Sequence, residues 1–198
     1  MNWDEWDKIP GWFNALEGKA LYDEVKALGS RALRVVEIGS FRGKSTVAIL
    51  EGCKDAGMMG QVLSCVDNFS GTGETAGETS YERRLEGGKL LAQTIDAFGL
   101  RKWLLGINGT SSEEWLKDHP VKTFQNAYNF FFIDGCHPCA AEDALAAWPL
   151  LKPGGVMICH DYDPTIPDSE VVKALDECGL PGKHIGVAGT SLWKAIKP

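Results

Sequence analysis

Val35-Val36-Glu37-Ile38-Gly39-Ser40-Phe41-Arg42-Gly43-Lys44-Ser45-Thr46 reads as a strand end, a glycine turn and a helix start. The run from Leu33 to Ile38 is β-branched, apolar and too short for a surface helix, and an amphipathic stretch from Ser45 to Cys53 follows the turn. Glu37 lies inside the apolar run, where an acid needs a partner. The turn nearly matches a phosphate loop, but three residues separate Gly39 from Gly43-Lys44-Ser45 where that pattern has four. Glycines at 39 and 43 alone also miss the G-x-G-x-x-G spacing of dinucleotide folds. A Glu close before the first Gly would set two anions side by side if a phosphate bound. It suits a ligand's positive group instead, while Ser45 and the helix N-terminus suit a carboxylate. A zwitterionic amino acid satisfies both.

The same strand-turn-helix unit recurs outward from this stretch. Val62 to Val66 ends at Asp67, Lys102 to Ile107 leads to Asn108-Gly109-Thr110-Ser111, and Asn129 to Ile133 closes at Asp134. Val156 to Cys159, preceded by the turn Lys152-Pro153-Gly154-Gly155, closes at His160-Asp161. Helical spacing covers residues 12–28, 81–98, 140–151 and 169–178, and Ser112 is the expected N-cap ahead of Glu113-Glu114-Trp115-Leu116. Continuous apolar strands alternating with helices predict an α/β, doubly wound, mostly parallel sheet covered on both faces. The last two runs, His184 to Ala188 and Ser191 to Ile196, are joined by too few residues for a crossover and so pair antiparallel. Residues 1–198 read as one domain, with 1–30 as an N-terminal helical cap and 68–85, around Ser70-Gly71-Thr72-Gly73, as a lid.

With 44% apolar and 24% charged residues, the 198-residue chain can build a core, which sets aside disordered and low-complexity classes. The net charge of −7 gives no source for the counterion-release attraction that drives nucleic-acid binding. It is confined to residues 134–178, which hold nine acids and two bases; elsewhere 18 acids balance 18 bases. No apolar run is long enough to span a membrane and the N-terminus lacks signal-peptide character, so a cytoplasmic setting is expected. The six cysteines form no disulfide-scaffold pattern, and Cys53, Cys65 and Cys159 read as buried thiols. Cys136-His137-Pro138-Cys139 is a C-x-x-C at a helix start, which admits a redox or, with His160, a zinc reading. Nearby Asp134 opposes the redox reading by raising thiol pKa. Trp3, Trp6 and Trp12 could cover a pocket, or simply pack or form a dimer contact.

Ligands of open α/β sheets bind beyond the carboxyl ends of the strands. Those ends carry Glu37 and Gly39, Asp67 and Asn68, Thr110 and Ser111, Asp134 and His137, and His160 and Asp161. Asp67, closing the neighbouring strand, is placed to accept from both hydroxyls of a ribose. An amino acid joined to a ribose describes S-adenosylmethionine (SAM).

On these residues the chain resembles the class I SAM-dependent methyltransferases, and most closely the bacterial O-methyltransferase-like group that includes macrocin-type enzymes and the cephalosporin methyltransferase-hydroxylase partner. The segments that carry the resemblance are 35–46, 66–68, Ile133-Asp134-Gly135-x-His137 and 150–156, ending in His160-Asp161. The resemblance implies a seven-stranded Rossmann-like sheet whose last strand is antiparallel. It places Glu37, Gly39, Ser40, Gly43 and Ser45 around the methionine part of SAM, Asp67 and Asn68 at the ribose, Thr110 and Ser111 at the adenine, and Asp134 facing the methyl. It further implies Mg2+ on Asp134 and Asp161, with His137 as base. His160 departs from that pattern, since some relatives carry an acid there and magnesium prefers oxygen, and Asp163 is a substitute ligand. The expected acceptor is a small hydroxylated molecule, with no nucleic-acid or membrane partner and with a homo-oligomer possible. The alternatives are a nucleotide-binding P-loop-like NTPase, and a SAM-fold partner protein that transfers no methyl.

Overall fold

The computed structural model describes residues 1–31, 34–70 and 81–198. Its strands are β1 (Val35–Ile38), β2 (Leu63–Val66), β3 (Leu104–Asn108), β4 (Tyr128–Ile133), β5 (Leu151–Cys159), β6 (Gly182–His184) and β7 (Trp193–Ile196). Among the described residues they form one sheet in the order β3-β2-β1-β4-β5-β7-β6. β1 pairs parallel with both β2 and β4, with Val35 opposite Leu63 and Phe130. β7 runs antiparallel between β5 and β6. The chain therefore winds outward in two directions from β1 and β4. Their carboxyl ends form the switch point where ligands of such sheets bind.

Side chains along each central strand alternate between two cores. Val35, Phe130, Phe132, Val156 and Ile158 pack on one face under α2 (Ala15–Ala27), α3 (Lys44–Asp55) and α4 (Tyr81–Ala97). Val36, Phe131, Ile133, Met157 and Cys159 pack on the other under α5 (Ser112–Asp118), α7 (Ala140–Ala147) and α8 (Glu170–Glu177). Burial on both faces is why these strands carry no polar alternation. The remaining α-helices among the described residues are α1 (Trp3–Asp7) and α6 (Val121–Phe124).

Several boundaries differ from the sequence expectation, each for a local reason. The helix expected over 12–28 begins only at Ala15, because Asn14 and Glu17 form a reciprocal capping box. Ser111, not Ser112, is the N-cap of α5: it is extended and its hydroxyl accepts from Glu114 N. α7 ends at Ala147 and a 3₁₀ turn with Pro149 carries the chain into β5, which starts at Leu151. Lys152-Pro153-Gly154-Gly155 is thus a bulge within β5, between the pairings Tyr128↔Leu151 and Phe130↔Val156. β6 stops at His184, whose ring nitrogens meet Gly186 N and Thr190 O and turn the chain. The central part of the expected lid, residues 71–80, lies outside the described residues, and from Tyr81 the chain is helical. No helix among the described residues is long and apolar enough to cross a membrane.

Candidate active site

A cavity of about 770 Å³ opens at the carboxyl ends of β1, β2 and β4. Gly39, Ser40 and Ser45, Asp67 and Asn68, Thr110 and Ser111, and Asp134, His137, His160 and Asp161 all line it. The strands achieve this through one close backbone approach. Gly39 N donates to Val66 O, Asp134 N donates to Ile38 O, and a Cβ on Gly39 would lie 2.0 Å from Asp134 O. With φ at 86°, Gly39 also occupies a left-handed conformation that favours glycine.

Glu37 does not face the cavity. It is fully buried, and Ser40, Ser45 and Thr46 donate their hydroxyls to it at 2.8, 2.6 and 2.6 Å. Burial raises its carboxyl to about 7 against the pull of those three donors. This corrects the expectation that Glu37 meets a ligand's positive group and the Ser45 hydroxyl its carboxylate; the Ser40 hydroxyl is taken up by Glu37 as well. All three instead lock the turn to its strand. An apolar strand that carries one acid ahead of three hydroxyl residues is the signal that points to such a cage.

Asp67 also serves the turn. Its Oδ2 accepts from Ser40 N at 2.9 Å and Phe41 N at 2.7 Å, and its Oδ1 from Phe69 N at 2.6 Å. The turn's N–H groups are therefore already given to a carboxylate, and Lys44 Nζ is turned away to Asp7. That arrangement offers no phosphate cradle, against the NTPase alternative. Gly43, at φ 93°, caps α3 with no side-chain bond of its own, and among the described residues no side chain accepts from the first-turn N–H groups of that helix. Asn68 bends back to Ser70 N, and Thr110 donates to Glu114.

The acidic side of the cavity is organised around His160. Its Nδ1 lies 3.0 Å from Asp134 Oδ1 and 3.4 Å from Asp161 Oδ1, and its Nε2 lies 3.4 Å from Glu17 Oε1. Burial alone would lower its pKa, but Asp134, Asp161 and Glu17 hold it well above the ordinary value. Asp161, at φ 61°, places Oδ2 2.7 Å from His137 Nε2. The charge and hydrogen bond of His160, with His137, hold the Asp161 carboxyl low against burial. Asp163 takes no part: its Oδ1 accepts from Thr165 N and Oγ1 in an exposed turn, so the expectation of a substitute ligand does not hold.

Glu17 is the residue that sequence reading missed. It lies 117 positions before Asp134 on α2, and no local pattern separates it from a surface acid. It is buried, accepts from Ser191 N and Oγ and from Asn14 N, and burial is outweighed by these bonds and His160, so it titrates at about 2. A folded pKa below the ordinary 4.5 means that its stabilisation is present above pH 4.5 and is lost as pH falls through 2. Urea unfolding at pH 6 and pH 3 is expected to show a larger loss for the wild type than for Glu17→Gln. Equal losses would remove Glu17 from the acid response.

Of the aromatic N-terminal residues, Trp6 is in the core and Trp3 stacks edge-on against it. Trp12, 71% exposed, is the tryptophan of the three that reaches the cavity, 5.3 Å from the Phe41 ring. Phe13 packs 4.9 Å from the His160 ring. All six cysteines are free thiols. The hydrogen bond from Cys136, with burial, pushes Cys139 up to about 12, the reverse of a redox-active thiol.

Residues 36–162 match the sequence profile of the family described as a methyltransferase domain. Among solved structures, the fold is similar to cofactor-bound Rv0187 from MTB, at 17% identity over 98% of this chain and 85% of that one, with a TM-score of 0.67. It is similar to an O-methyltransferase from Bacillus cereus in complex with SAH, at 16% identity over 98% and 90% of the two chains and a TM-score of 0.65. It also resembles the O-methyltransferase TomG from Streptomyces achromogenes, involved in tomaymycin synthesis and solved with SAM, at 19% identity over 98% and 86%, with a TM-score of 0.63. No curated protein matches the chain.

Proposed function

The chain belongs to the methyltransferase domain family, and from that premise we propose that it transfers the methyl group of SAM to a hydroxyl oxygen of a small acceptor. The observation that carries this reading is the convergence of the Gly39 turn, Asp67 and His137 on one cavity at the β1/β4 switch point. The open N-terminus of α3 suits the α-carboxylate of SAM, and Asp67 Oδ1 keeps capacity for a ribose hydroxyl beside its bond to Phe69 N. Thr110 and Ser111 flank the adenine end, with their side chains already tied to α5.

Methyl transfer from a sulfonium is an in-line displacement, so the protein must orient the acceptor oxygen and remove its proton. His137 is suited to that: Asp161 holds Nε2, leaving Nδ1 to take the proton, and the side chain is exposed at the cavity. Asp134, His160 and Asp161 offer ligand atoms within 4.8 Å of one another, a donor set that fits a divalent cation. Bound there, such an ion would lower the pKa of the acceptor hydroxyl.

A screen of phenols, sugars and aliphatic alcohols with methyl-labelled SAM tests the reaction class. Label is expected on oxygen. Label on nitrogen alone, or SAM binding with no transfer to any acceptor, would overturn it.

A further inference from the structure

We propose that the cation of this site is a transition dication that accepts nitrogen, not magnesium, with His160 Nδ1 as its third protein ligand and Glu17 as the carboxylate that positions the imidazole. The inference rests on the metal-assisted reading above and narrows it.

Three features of the chain carry it. First, His160 Nδ1 is aimed between two carboxylate oxygens, at 3.0 and 3.4 Å. Neighbouring ligands on a coordination polyhedron with bonds of roughly 2.1 Å are about 3 Å apart, so His160 Nδ1 already stands near that spacing from each carboxylate, and all three donors lie within 4.8 Å of one another. Second, the other ring nitrogen is engaged behind the site. Nε2 lies 3.4 Å from both Glu17 Oε1 and Ser191 Oγ, and the Ser191 hydroxyl itself donates to Glu17. A carboxylate behind the distal nitrogen fixes the tautomer with its lone pair on Nδ1 and raises the basicity of that ligand. Third, the imidazole and its support are buried: the side chains of His160 and Glu17 are 6% and 3% exposed, and Phe13 packs on the imidazole. Three carboxylates surround one imidazole, a surplus of negative charge that a dication offsets. As the dication binds, the Nδ1 proton now shared with Asp134 leaves to solvent.

Magnesium demands oxygen ligands and dehydrates reluctantly, whereas imidazole suits the later first-row dications. His160 cannot swing aside to leave an all-oxygen site, because Glu17 and Phe13 hold it on two sides. Glu17 is a positioning residue here. It touches neither the ion nor the acceptor.

The test uses the full chain with manganese(II) as probe, followed by electron paramagnetic resonance. One bound ion is expected, with nitrogen modulation from a single imidazole, and with magnesium competing only at about a hundredfold excess or more. Glu17→Gln should keep the nitrogen modulation and weaken manganese binding about 10- to 100-fold. His160→Asp should abolish the modulation and narrow the preference over magnesium by about tenfold or more. Thermal unfolding establishes that each variant is folded, and Glu17→Gln with the wild-type spectrum decides the matter if His160→Asp is not. Manganese bound without nitrogen modulation, or magnesium competing at equal concentration, would overturn the inference and leave the metal-assisted reading intact. No divalent binding while SAM still binds would overturn both and leave methyl transfer standing.

Discussion

Gly39→Ala is expected to unfold the site and lower the stability of the chain by about 2–5 kcal/mol, with SAM binding lost. An L side chain in the left-handed region costs roughly 1–2 kcal/mol, and overpacking a tight contact typically adds about 1–3 kcal/mol. Here the contact is backbone: the added Cβ would sit 2.0 Å from Asp134 O and 2.7 Å from Gly135 N. No flexible side chain can yield, so β1 and β4 would have to separate at the end that builds the cavity. Gly154→Ala is the control. It shares a positive φ of 75° but has nothing within 4 Å, so it should cost only about 1–2 kcal/mol. Urea unfolding of the two variants side by side separates them, and equal costs would show that the Gly39 approach is not what holds the strand ends together.

The second large effect is on catalysis. His137→Ala should lower kcat by about 10²- to 10⁴-fold, the usual contribution of a positioned general base. SAM affinity and folding stability should change little, because the ring is 64% exposed and is held by Asp161 Oδ2 at the cavity edge. Single-turnover measurement with an acceptor found in the hydroxyl screen reads the chemical step directly. An unchanged rate would remove His137 from the proton transfer and leave activation of the acceptor to the Asp134 and Asp161 side of the cavity.

The fold was legible because its signals are local. The apolar runs at Val35, Val62 and Asn129 have no polar alternation, which marks strands buried on both faces, and the close spacing of the last two runs forces an antiparallel pair. The strand ends likewise named Asp67, Asp134, His137 and Asp161, since position after a strand is readable in one dimension. What a lone side chain faces is not. Glu37 and Ser45 look alike whether they point to a ligand or to each other, and only the packed turn shows that they bond across 2.6 Å. Glu17 reaches His160 only because α2 crosses α3 beside the sheet, a tertiary fact with no sequence period. Asp163 was misread for the opposite reason. Its partner Thr165 is two residues away, and the short turn that they form competes with any role at the cavity.

A calorimetric titration of the wild type and of Asp67→Ala with SAM, repeated with ATP and magnesium, bears most directly on the central claim. Asp67 holds the Ser40 and Phe41 amides as well as the proposed ribose end, so its loss should weaken SAM binding by at least about tenfold, the loss of one charge-assisted hydrogen bond. The account predicts saturable one-to-one binding of SAM by the wild type, that weakening in the variant, and no heat from the nucleotide. Binding of ATP with no binding of SAM would contradict it.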